Sequence, residues 1–207
     1  MKLKDIADIE FLIGLSLTRL KERIARGDIA EQTDVWIVTA GAIDEGLIFH
    51  DKLSIVKADV NKIDAVRRAK AGDIIMKTTA PFFCALISEE PDRPLYAASS
   101  CITIRLPLSG EGACYHPAFL AAYLNLPFMQ DMLQAKTTGT NASVIKKAIL
   151  EELEVPELDP SEQERLGAAY LAIIEASAAH LSALASLKKI HAALFAEKLS
   201  QALGGDQ

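Results

Sequence analysis

Between Asp159 and Leu203 nothing in the chain interrupts a helix, and that one stretch restricts how everything before it can be used. Asp159 suits an N-cap, Pro160 the N1 position and Glu162 the N3 position of a capping box, so the start is marked three times over. Gly204-Gly205 marks the end. Inside it Leu166, Tyr170, Ile173, Ser177, His180 or Leu181, Leu184, Leu187, Ile190 or His191, and Leu194 recur at alternating threes and fours, the spacing of a coiled-coil seam. At about 1.5 Å per residue the rod is roughly 66 Å long, more than a domain of this size buries by itself. No second helical pattern of matching length occurs in the sequence, so the seam predicts a partner, either another copy or another protein. The alternative is a helix folded back over its own globule.

Composition narrows the classes. Hydrophobic residues make up 50% of the 207, ample for a core and too many for a disordered chain. No uninterrupted apolar run approaches the roughly 20 residues that cross a bilayer, and Met1 to Ile6 lacks a secretory leader's apolar segment, so a soluble, cytoplasmic protein with no membrane partner is expected. Cys84, Cys101 and Cys114 are odd in number and lack C-x-x-C spacing, which points to plain thiols. The net charge of −6 is uneven. Residues 151–207 hold ten of the 28 acidic and four of the 22 basic side chains, leaving residues 1–150 neutral with 18 of each. A neutral globule with local basic clusters can bind DNA, but weakly when alone.

The expected fold class is α+β (α/β mixed). Val35–Thr39, Leu47–Phe49, Asp73–Lys77, Phe82–Ile87 and Ser100–Leu106 read as strands, short and rich in β-branched or aromatic residues, and a curved mixed sheet is the natural arrangement. After Pro117 the pattern turns helical: one short helix with Pro117 at its first position, a second over Phe128–Ala135, and a third ending near Leu150 with Asn141 or Ser143 as its cap. Two domains follow, residues 1–157 and the helix of 158–207.

Three clusters could meet a polyanion. Lys77-Thr78-Thr79 sits where the chain leaves a strand. Lys136, Thr138, Thr140, Asn141, Lys146 and Lys147 combine hydroxyls, an amide and ammonium groups near a helix start. Arg67-Arg68-Ala69-Lys70 is the third; each could equally be a solvated turn or face. Catalytic signatures are missing: there is no G-x-S-x-G, H-E-x-x-H or P-loop, and His50, His116, His180 and His191 have no metal-ligand spacing. The paired acids Asp44-Glu45 and Glu89-Glu90 are adjacent in sequence and so face apart.

Five motifs, in order, resemble the specificity subunits of type I restriction–modification systems: Ile6-Ala7-Asp8-Ile9 with Gly14-Leu15-Ser16, the segment Thr39 to Gly46, Gly72-Asp73-Ile74-Ile75, Thr138-Gly139-Thr140 with Ile145, and Leu153-Glu154-Val155-Pro156 leading to Glu162-Gln163 and the long helix. Ala80-Pro81 departs from the family, which often has glycine in that loop. The resemblance implies a target recognition domain followed by a spacer helix, one half of a subunit that ordinarily carries two of each. It further implies a non-catalytic reader of one part of a split double-stranded DNA site. Its partners would be a second copy of itself, a DNA adenine methyltransferase subunit that alone uses S-adenosylmethionine, and a restriction/translocase subunit where the system is complete. On this reading Thr78, Thr79, Thr138, Thr140 and Asn141 face bases, Lys77, Lys136, Lys146 and Lys147 hold phosphates, and Leu166, Tyr170, Ile173, Leu181, Leu184, Leu187 and Leu194 face the partner helix. The competing reading is a structural or interaction protein that dimerises through the coiled coil without binding DNA.

Overall fold

Strands run through the first half of the chain and helices through the second, in an α+β arrangement that ends in one long helix. The computed structural model describes residues 1–26, 32–107, 115–137 and 144–203. Its strands are β1 (Glu10–Ile13), β2 (Thr33–Val38), β3 (Ile43–Asp44), β4 (Leu47–Ile48), β5 (Ser54–Ala58), β6 (Ile74–Lys77), β7 (Cys84–Leu86), β8 (Leu95–Ala97) and β9 (Cys101–Arg105). Its α-helices are α1 (Leu17–Ala25), α2 (Pro117–Leu124), α3 (Pro127–Thr137), α4 (Lys147–Glu151) and α5 (Pro160–Leu203). The five expected strands are present. The sequence pattern does not anticipate α1, β1, β3, β5 or β8, although Leu17, Leu20 and Ile24 have helical spacing. α4 starts later than expected and is N-capped by Lys146.

The strands form separate sheets rather than one curved sheet. An antiparallel sheet has the order β1-β9-β6-β7, a mixed sheet the order β5-β2-β8 with β2 and β8 parallel, and β3 pairs with β4. β6, β7 and β9 of the four-stranded sheet are buried on both faces, which is why they read as apolar runs. Ile74, Met76, Cys84, Ile102 and Ile104 join the core formed with α2, α3 and α4, while Ile75, Ala85 and Cys101 point to a second cluster with Val38, Ile43 and Ala97. A third cluster packs Leu20 of α1 on Val35, Ile37 and Val56. Gly14 has to be glycine, because a Cβ there would collide with the Ala98 carbonyl.

One buried ion pair ties the end of β9 to the turn before β6 and to the backbone around Arg67. Arg105 donates from Nε and Nη2 to the two Asp73 carboxylate oxygens, both at 2.8 Å, and from the same guanidinium to the carbonyls of Val66 and Arg68. Asp73 is 1% exposed, so the fork supplies the hydrogen bonds that its desolvation demands.

The chain divides into two compact units, Met1–Tyr170 and Leu171–Gln207. The first therefore runs beyond residue 157 and takes in the opening turns of α5. Gln163 explains this: its Oε1 accepts the His116 backbone N–H at 2.9 Å and its Nε2 donates to the Leu158 carbonyl at 2.9 Å. One turn on, a side chain at Gly167 would meet His116 Nδ1 and Ala118, and after that Asn125 Nδ2 donates to the Tyr170 hydroxyl at 2.8 Å. These three positions step by four and three residues, one face of a helix.

Contrary to the expectation that no segment is apolar enough, the helix Pro160–Ser200 is by length and composition capable of crossing a membrane, with a mean hydropathy of 1.4 over an 18-residue window within it. Alanine supplies much of that hydropathy, and scattered alanines do not register as an apolar run.

Candidate nucleic-acid interface

β6 ends at Lys77, and the next two residues diverge in role. Thr78 is 8% exposed, and both its backbone N–H and its hydroxyl donate to the Ser100 carbonyl, at 3.0 and 2.9 Å. The expectation that Thr78 reads a base is therefore corrected: its one hydroxyl proton is spent inside the protein, fastening the loop to the turn between β8 and β9. Thr79 is exposed and forms an antiparallel bridge with Val144. The Thr78 carbonyl in turn accepts the Ile145 N–H at 2.7 Å. Two clusters far apart in sequence, Lys77–Thr79 and Val144–Lys147, thus form one surface.

Three lysines belong to these clusters, and a fourth candidate, Lys136, lies on α3. Lys77 is partly exposed, with its ammonium 5.7 Å from the centre of the Phe83 ring. Lys146, at the cap of α4, is exposed. Lys147 lies 3.5 Å from Glu151 and 5.9 Å from the Phe11 ring centre, and its exposed ion pair is weak enough to be exchanged for a phosphate. Lys136 is exposed in the last turn of α3. Thr138, Thr140 and Asn141 lie outside the described residues, in the segment joining α3 to Val144. Sequence reasoning missed Ser100, whose carbonyl holds Thr78 and whose Oγ accepts the Ala40 N–H at 3.2 Å; a lone serine in a turn carries no signal of its own.

On α5, Leu166, Ile173, Leu181, Leu184, Leu187 and Leu194 are exposed, as are Ile190, Phe195 and Leu199. So long an exposed apolar stripe is unusual for an isolated soluble chain and marks an interaction surface. Tyr170 is corrected: it packs against the core of its own globule and accepts a hydrogen bond from Asn125, and burial pushes its phenol pKa up. Its position in the heptad count suggested the partner side, but the opening turns of α5 turn the Gln163, Gly167 and Tyr170 face inward.

Comparison with protein-family models and with curated proteins gave no match. Solved structures do match. The crystal structure of the HsdS subunit from Thermoanaerobacter tengcongensis superposes with a TM-score of 0.52 at 19% identity, over 94% of this chain and 49% of that one. A structure described as showing complex assembly and conformational transition of the type I R-M system superposes with a TM-score of 0.53 at 20% identity, again over 94% of this chain and 49% of that one. The chain spans about half the length of these neighbours. Its fold is thus that of one half of a type I restriction–modification specificity subunit.

Proposed function

We propose that the chain is the DNA-reading, non-catalytic subunit of a type I restriction–modification system, and that two copies pair through α5 to rebuild a reader of two half-sites. One observation carries this reading: a chain with the fold found in a specificity subunit exposes a helical apolar stripe with the spacing of a helix pair. Thr79, with Thr138, Thr140 and Asn141, is assigned to base edges. Lys77, Lys136, Lys146 and Lys147 are assigned to phosphates. The DNA adenine methyltransferase that this reader seats would bring its own S-adenosylmethionine, and a restriction/translocase subunit would join in a complete cytoplasmic system.

Two identical readers related by a two-fold axis make a specific demand on the DNA. The two half-sites must be the same sequence, inverted, with a spacing fixed by the paired helices. Selection from a random duplex pool, with the chain and its methyltransferase together, should enrich an interrupted inverted repeat. A pool that emerges unenriched would leave the helix-only interaction protein as the better reading. The apolar composition of Pro160–Ser200 favours one other outcome, insertion into lipid. Flotation of the full chain with vesicles tests it, and cofractionation with lipid would count against the paired-helix assignment.

A further inference from the structure

A basic cleft lies apart from the two lysine clusters of the candidate interface and takes in Arg67 of the third. α1 is amphipathic: Leu20 is buried against the three-stranded sheet, while Arg19, Lys21 and Glu22 are exposed. Facing it are two short 3-10 turns, Val60–Lys62 and Ala65–Arg67, each capped by an aspartate: Asp59 accepts the Asn61 N–H and Asp64 the Val66 N–H. Between them is a cleft of about 320 Å³ whose lining includes Ser16, Arg19, Lys62, Asp64 and Arg67. Three cations thus meet one carboxylate. Asp64 has one oxygen in its cap and the other 3.6 Å from Arg67, an exposed pair too weak to neutralise the cleft. Arg19 has no ion-pair partner among the described residues.

The cleft's position gives that charge a use. Leu15, on its rim, accepts the Ser99 N–H at 2.8 Å, and the adjacent Ser100 carbonyl holds Thr78. Leu15 and Thr78 therefore flank a single two-residue turn, and two cross-chain spacings plus one residue step place them no more than roughly 14 Å apart. That bound is comparable to the width of a DNA major groove, about 12 Å. A loop at Thr79 entering the groove would leave the cleft over the backbone that borders it.

We propose that this cleft holds a phosphate of the DNA backbone, with Arg19 and Arg67 as its hydrogen-bonding ligands and Lys62 as a neighbouring charge, so that the recognition loop is positioned from two sides. The proposal rests on the DNA-reading function above and adds a phosphate site that lies outside the loop clusters. A guanidinium suits this task because its planar fork donates to two phosphate oxygens at once.

The test is the salt dependence of binding by the full-length chain to labelled duplexes of unrelated sequence, over about 50 to 200 mM salt. Each lost phosphate contact lowers the slope of log K against log salt by about 0.9, so Arg19→Gln and Arg67→Gln should each lower it by about 1 and the double variant by about 2, weakening all duplexes alike. Arg19→Lys with Arg67→Lys should keep most of the slope, which separates charge from packing. Both side chains are exposed, and a thermal melt confirms that each variant is folded. An unchanged slope in both single variants, while Lys146→Ala with Lys147→Ala lowers its own, would overturn the cleft and leave the DNA-reading function standing. Failure of the parent chain to bind any duplex would overturn both.

Discussion

Replacing Leu184 and Leu187 by alanine puts the proposed pairing of two chains under quantitative pressure. The two leucines are 48% and 63% exposed, so about half of each side chain is left for a neighbour to cover. Full burial of a leucine stabilises by about 1.5–3 kcal/mol, which makes the remaining half worth about 1 kcal/mol. In a two-fold interface each substitution occurs twice, so four truncated side chains remove about 4 kcal/mol. That corresponds to a dimer dissociation constant about a thousandfold higher. Alanine is at least as good a helix former as leucine, so helicity by circular dichroism should hold while the association weakens. Sedimentation across a concentration series reads the constant directly. A parent chain that stays monomeric at every concentration, or a variant that associates as tightly as the parent, would refute the reasoning.

Three further outcomes follow from the described contacts. Arg105→Met strips the fork from a carboxylate that is 1% exposed, and should lower stability by about 3–5 kcal/mol, seen as a Tm drop of roughly 10 °C; adding Asp73→Leu should restore part of it. Thr78→Val should lower stability by about 1 kcal/mol without changing the selected DNA sequence, whereas Thr79→Val should change the sequence enriched from a random duplex pool. The Glu152 carboxyl is held down to about 2, first by the hydrogen bond from Lys2 and then by that from Lys4. Its folded pKa lies below its ordinary value of 4.5, so its stabilisation is present above about pH 4.5 and is lost as pH falls toward 2. Acid unfolding of Glu152→Gln should therefore lack that component, and the difference should shrink in high salt because all three groups sit at the surface.

The sequence by itself determined the long helix, with its start at Pro160 and its end at Leu203, because capping residues, alanine content and the absence of interior glycine clusters or proline act within a few residues of one another. It also determined five of the nine described strands, whose apolar runs need no partner to be recognised, and the expectation of an apolar stripe reaching past its own domain. Only the tertiary structure decided which side chains the stripe keeps. Tyr170 turned inward because Gln163 and Gly167 hold the same helical face against His116, a constraint between residues about 50 positions apart. Thr78 and Thr79 are neighbours of one chemistry, yet opposite fates follow from a carbonyl at Ser100 that no local pattern announces. The union of Thr79 with Val144, and of Arg19 with Arg67 across a cleft, likewise depends on strand pairing between distant segments. Local interactions are written residue by residue along the chain, whereas a site assembled from several turns exists only once the sheets that carry them have chosen their partners.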